Sequence, residues 1–68
     1  MNAHLKLKIL ESNKSQILIA HQIGISEPYL SRIVRGWIEP SYEIKGKIAV
    51  ALGSSVEEIF PGSKGIKQ

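Results

Sequence analysis

Few side chains in this 68-residue chain have types and spacing suited to covalent or acid–base chemistry. There is no cysteine and no aspartate, and neither His4 nor His21 has a further ligand type arranged beside it. Two isolated histidines do not make a zinc-type site, which takes three or four protein ligands. No metal and no cofactor are expected. Glu57 and Glu58 are adjacent carboxylates, but with Ser55 they spell a helix capping box rather than an acid–base pair. No glycine-rich phosphate loop or nucleophile elbow is present, so an enzyme is not expected. What remains is recognition, by hydrogen bonds and charge. The formal charge of +3 and the pI near 9.5 are compatible with a nucleic-acid partner.

The recognition groups concentrate between Gln16 and Arg35, in QILIAHQIGISEPYLSRIVR. Two short apolar-periodic segments meet there at Gly24. Ala20 stands one helical turn before the glycine, and Leu30 and Ile33 lie three apart in the second segment. This is the spacing of a helix-turn-helix, in which two helices cross steeply over a short turn. The closest approach falls near Ala20, where a larger side chain would push the helices apart. Gly24 enters the left-handed region that the turn demands. Ile19, Ile23, Ile25, Leu30 and Ile33 point inward together, and each contributes ~1.5–3 kcal/mol if fully buried. A motif of this kind lays its second helix in the major groove of DNA.

Periodicity elsewhere supplies the elements that must hold this motif. It predicts an all-α chain of five helices with no strand. The first runs over Ala3–Ser12, capped by Asn2, with Leu5, Leu7, Ile9 and Leu10 as its apolar pairs. The second covers Gln16–Ile23 behind Ser15, and the third Glu27–Arg35 behind Ser26. Pro28 falls in the first turn, where its missing N–H has no intrahelical partner to lose. Gly36 closes the third helix, and a loop follows over Trp37–Pro40. Ser41 caps a fourth helix running to Leu52, with Ile44, Ile48 and Leu52 on one face. Gly46 inside it costs ~1 kcal/mol relative to alanine. The capping box at Ser55 opens a short fifth helix ending near Phe60. One domain therefore spans residues 1–62, and residues 63–68, with little to bury, form a tail expected to be mobile. The lysines at 6, 8, 45, 47, 64 and 67 are expected on a solvated face. No apolar run is long enough to cross a bilayer, and the N-terminus does not read as a secretory signal. A cytoplasmic location without membrane contact is expected.

The string SQILIAHQIGISEPYLSRIVRGWIEPS, followed by KIAVALGSSVEEIF, resembles the phage repressor and Cro type of helix-turn-helix domain, the XRE family. The resemblance covers about Leu5 to Phe60. It implies a compact five-helix domain that binds specific sequences in double-stranded DNA. It places base readers at Ser26, Glu27, Pro28, Ser31 and Arg32. Arg32 could pair bidentately with guanine O6 and N7, or reach a phosphate instead. Glu27 could accept from a cytosine amino group, and it also suits a helix N-terminus. Pro28 departs from the family's usual polar residue and could touch only a thymine methyl. Gln16, at the start of the second helix, matches a phosphate-binding position. Arg35, Trp37 and Lys14 flank it as further phosphate candidates. For Trp37 a second role is open, its ring capping the core beside Pro40. The family often carries basic residues in the loop where this chain has Trp37, Ile38 and Glu39.

One reading helix covers only a few base pairs, so a homodimer on half-sites ~34 Å apart is expected. Ile59, Phe60 and Ile66 are the candidate dimer surface. The resulting expectation is a transcriptional repressor acting by occupancy, with no small-molecule ligand. The other reading is a protein-interaction module, such as an antitoxin or a coactivator-like domain.

Overall fold

The computed structural model describes residues 1–62. Five helices occur in this span: α1 Ala3–Ser12, α2 Gln16–Ile23, α3 Glu27–Val34, α4 Tyr42–Ala51 and α5 Val56–Ile59. Each begins on a residue whose side-chain oxygen accepts a hydrogen bond from its own first turn. Asn2 accepts from Leu5, Ser15 from Leu18, Ser26 from Tyr29, Ser41 from Ile44 and Ser55 from Glu58. Such a cap is worth ~1 kcal/mol over alanine, because it satisfies a donor that no carbonyl of the helix can reach. At α5 the bond is reciprocal, with Glu58 Oε1 accepting from the Ser55 N–H at 2.9 Å. That backbone bond, with the nearby charge of Lys8, holds the Glu58 carboxyl below the usual carboxylate range.

The exits are as regular. At Gly24, φ is +80°, and the Ile25 N–H donates to the Ala20 carbonyl at 3.0 Å. The same closure ends α3. Gly36 lies at φ +80°, and the Trp37 N–H donates to the Arg32 carbonyl at 2.9 Å. These are Schellman closures, in which a left-handed residue lets two orphan carbonyls find donors. The closure at Gly36 leaves Arg35 as the cap of α3, and a matching one at Gly53 (φ +66°), where the Ser54 N–H donates to the Ala49 carbonyl at 2.9 Å, leaves Leu52 as the cap of α4, so both helices stop one residue short of the sequence expectation. The exit of α1 works differently. Asn13 takes the left-handed turn, and the Ser12 hydroxyl relays between the Lys14 N–H and the Ile9 carbonyl.

α2 packs on both α3 and α4, α4 on α5, and α1 on α5 and α3. Leu5, Ile19, Leu30, Ile33, Ile48 and Ile59 are fully enclosed where these helices meet. Ala20 is buried at the α2–α3 crossing as its size required, while Ile23 and Ile25 are half-buried at the rim. Four expectations are corrected. Only the Leu5–Ile9 face of α1 is buried, and Leu7 and Leu10, which project away from it, are exposed. Lys45 is not on a solvated face: it shares the core side of α4 with Ile48 and Ala49. Trp37 does not cap the core, since its side chain is 68% exposed while Pro40 alone is buried there. Ile59 and Phe60 are core residues, 0% and 7% exposed, so they offer no apolar surface to a second copy. Ile66 and the tail over residues 63–68 lie outside the described residues.

One residue holds the two ends of the described chain together. The Asn2 N–H donates to the Val34 carbonyl at 2.8 Å, and its side-chain amide donates to the Ile59 carbonyl at 2.9 Å. Asn2 thus caps α1 while tying it to the end of α3 and to α5.

Candidate nucleic-acid interface

The outward face of α3 follows from its inward one. With Leu30, Ile33 and Val34 buried, the helical period sends Pro28, Arg32 and Arg35 to the opposite side, where all three are exposed. Ser31 lies half-buried at the edge of this row. Ser26 is exposed at the helix start, its hydroxyl accepting from Tyr29 at 3.2 Å. The structure therefore gathers Ser26, Pro28, Ser31 and Arg32 on one surface, with Arg35 at its far end. Tyr29 is turned to the other flank and packs against the core.

Glu27 and Gln16 are linked. Gln16 Nε2 donates to Glu27 Oε2 at 3.1 Å, joining the first turns of α2 and α3. Both side chains are half-buried. The bond orients the Gln16 amide and the Glu27 carboxylate at the mouth of two helix N-termini, where backbone N–H groups favour an anion. Neither the bond nor its partner choice was foreseen from the residues, although both positions were singled out separately.

Beyond α3, Arg35 and Trp37 form a stacked pair. The guanidinium carbon lies 5.0 Å from the indole centroid. Both side chains are exposed, and the backbone of Trp37 is fixed by its bond to the Arg32 carbonyl. The stack gives Arg35 a defined direction without hiding its donors.

Lys14 is placed elsewhere. Its ammonium donates to the Ala51 carbonyl at 3.3 Å and to Gln22 Oε1 at 3.4 Å. It thus satisfies a carbonyl at the C-terminal end of α4, where a cation is favoured by the helix dipole. The groove it lines, about 820 Å³ between α2 and α4, is open to solvent and is also lined by Gly46 and Val50.

Lys45 is the buried charge that the residues alone did not point to. Its ammonium pairs with Glu39 in the α3–α4 loop and lies 5.3 Å from the Phe60 ring centroid. The signal was present, because positions 45, 48 and 49 share one helical face. A lysine on that face reads as surface unless its partner in the loop is known. His4 and His21 are exposed on different helices. No helix among the described residues is long and apolar enough to cross a membrane.

The model of the Helix-turn-helix family matches residues 5–59, most of the chain. No curated protein and no solved structure matches it.

Proposed function

Since the chain belongs to the phage repressor and Cro type of helix-turn-helix family, a family of DNA-binding regulatory domains, we propose that it is a sequence-specific repressor acting as a dimer. α3 enters the major groove, and α2 crosses the phosphate backbone. Ser26, Glu27, Pro28, Ser31 and Arg32 face the bases, with Arg32 the strongest donor among them. Gln16, Arg35 and Trp37 contact phosphates. Lys14 could add a further phosphate contact only by leaving the end of α4.

The observation that carries this reading is the outward row Pro28–Arg32–Arg35, set beside the Gln16–Glu27 bond that joins two helix N-termini. The two guanidiniums of this row lie outside the core, and their donors match base edges and phosphates. Bound at a promoter, the domain would act by occupying it.

A titration of random-sequence duplex by fluorescence anisotropy at two salt concentrations tests the reading. Of the three contacts only Arg35 is cationic, so its two copies in a dimer predict a log–log slope of about −1.8, steeper if Arg32 also meets a phosphate. A flat salt response, or no binding at low salt, overturns it. The second reading, a module working through a protein partner, is favoured by the exposed apolar side chains Leu10, Ile17 and Val50. It would show as exactly that flat response.

A further inference from the structure

Lys45 is the only buried charged residue among those described, at 6% exposure. Burying an ammonium costs free energy that its partners must offset, and an apolar residue of similar length often serves stability as well or better. Packing alone therefore does not account for a charge at this position. Its ammonium reaches from the core side of α4 to the surface. The carboxylate it holds is that of Glu39, in the loop that connects α3 to α4. The Phe60 ring lies on another side of the same ammonium.

Glu39 stands two residues beyond Trp37, whose backbone is fixed to the end of α3. Its side chain is mostly exposed. Pro40 is buried and Ile38 half-buried, so the loop is anchored at alternate residues and Glu39 cannot swing far from its surroundings. A carboxylate at this place, without compensation, would repel the phosphates that Arg35 and Trp37 are positioned to meet. At moderate salt such repulsion acts over ~10 Å.

We propose that Lys45 is a positioning residue for DNA binding, which from beneath the α3–α4 loop holds and neutralises Glu39, so that the loop can lie along the phosphate backbone. This rests on the DNA-binding reading above. Lys45 does not touch the nucleic acid in this arrangement. It acts through Glu39, so the loss of DNA affinity on its removal should depend on that carboxylate.

The test is a double-mutant comparison of Glu39→Gln, Lys45→Met and the two combined. Each binds random duplex at about 50 and about 200 mM salt, below the melting temperature followed by circular dichroism. Glu39→Gln should bind as tightly as the parent or more tightly. Lys45→Met should bind roughly tenfold more weakly at low salt, with the gap narrowing as salt screens the freed carboxylate. The combined variant should return to within about threefold of the parent, whatever its melting temperature. If Lys45→Met does not fold, Lys45→Gln, which keeps a donor and removes the charge, takes its place with the same expected rescue by Glu39→Gln. A lysine variant that binds like the parent, or a combined variant as weak as the single one, overturns the proposal. If the parent itself fails to bind duplex, the DNA-binding reading falls and this inference with it. If the parent binds and the rescue is missing, only this inference falls.

Discussion

Arg32 leaves α3 on the side opposite Leu30 and Ile33, so its guanidinium contributes nothing to the packing of the monomer. Replacing it with alanine should leave the melting curve within about 0.5 kcal/mol of the parent. Discrimination at one base position should fall by ~1–3 kcal/mol. Binding to a panel of duplexes differing at single positions measures this directly, and an equal loss on every duplex would move Arg32 to the phosphate class. At this scale the sequence was informative about position and less so about partners. That Ser26, Pro28 and Arg32 share a surface follows from the helical period alone. That Gln16 bonds Glu27, and that Lys45 bonds Glu39, depends on how α2 meets α3 and how the loop returns over α4. Trp37 shows the same limit: an indole beside a proline reads as core, yet the Schellman closure at Gly36 directs it to solvent against Arg35.

The helices themselves were the most legible part, because their signals are local. All five caps lie where a Ser or Asn precedes an apolar-periodic run, and each makes its expected bond. Leu7 and Leu10 misled because a leucine count does not distinguish the two sides of a helix, whereas the Leu5–Ile9 pair does. The turn between α2 and α3 gives the sharpest test at this scale. A Cβ at Gly24 would meet nothing within 4 Å, so any cost of substitution there comes from the backbone angle and not from crowding. Gly24→Val should therefore destabilise by about 1–3 kcal/mol. That corresponds to a melting temperature lower by roughly 4–8 °C for each kcal/mol. Gly24→Asn, which tolerates positive φ, should lose much less. A valine variant that melts like the parent would show that the turn is not built as described.

In the proposed function the molecule as a whole presents one helix, α3, to the bases, and a single α-helix in a major groove specifies only a few base pairs. Selection of bound duplexes from a random pool should therefore return two inverted half-sites with centres ~34 Å apart, or a multiple of that. A single half-site without a symmetric mate would remove the dimer from the proposal. The burial of Ile59 and Phe60 was the hardest feature to foresee. Two apolar residues late in the sequence look available to a partner, and only the packing of α5 on α1 and α4 shows that they are taken. The Asn2 side-chain amide adds a bond to the Ile59 carbonyl across most of the sequence.

The same bond bears on the order in which the protein comes into being. During synthesis α1 emerges first, yet two of the groups that Asn2 binds, at Val34 and Ile59, emerge much later. Contacts so distant in sequence close late, after the loop between them has been ordered. A nascent chain on the ribosome can thus close the Asn2–Val34 bond and the α1–α3 packing once α3 is out, while the Asn2–Ile59 bond waits for α5. The start of α1 gains its last tie only when translation has passed α5.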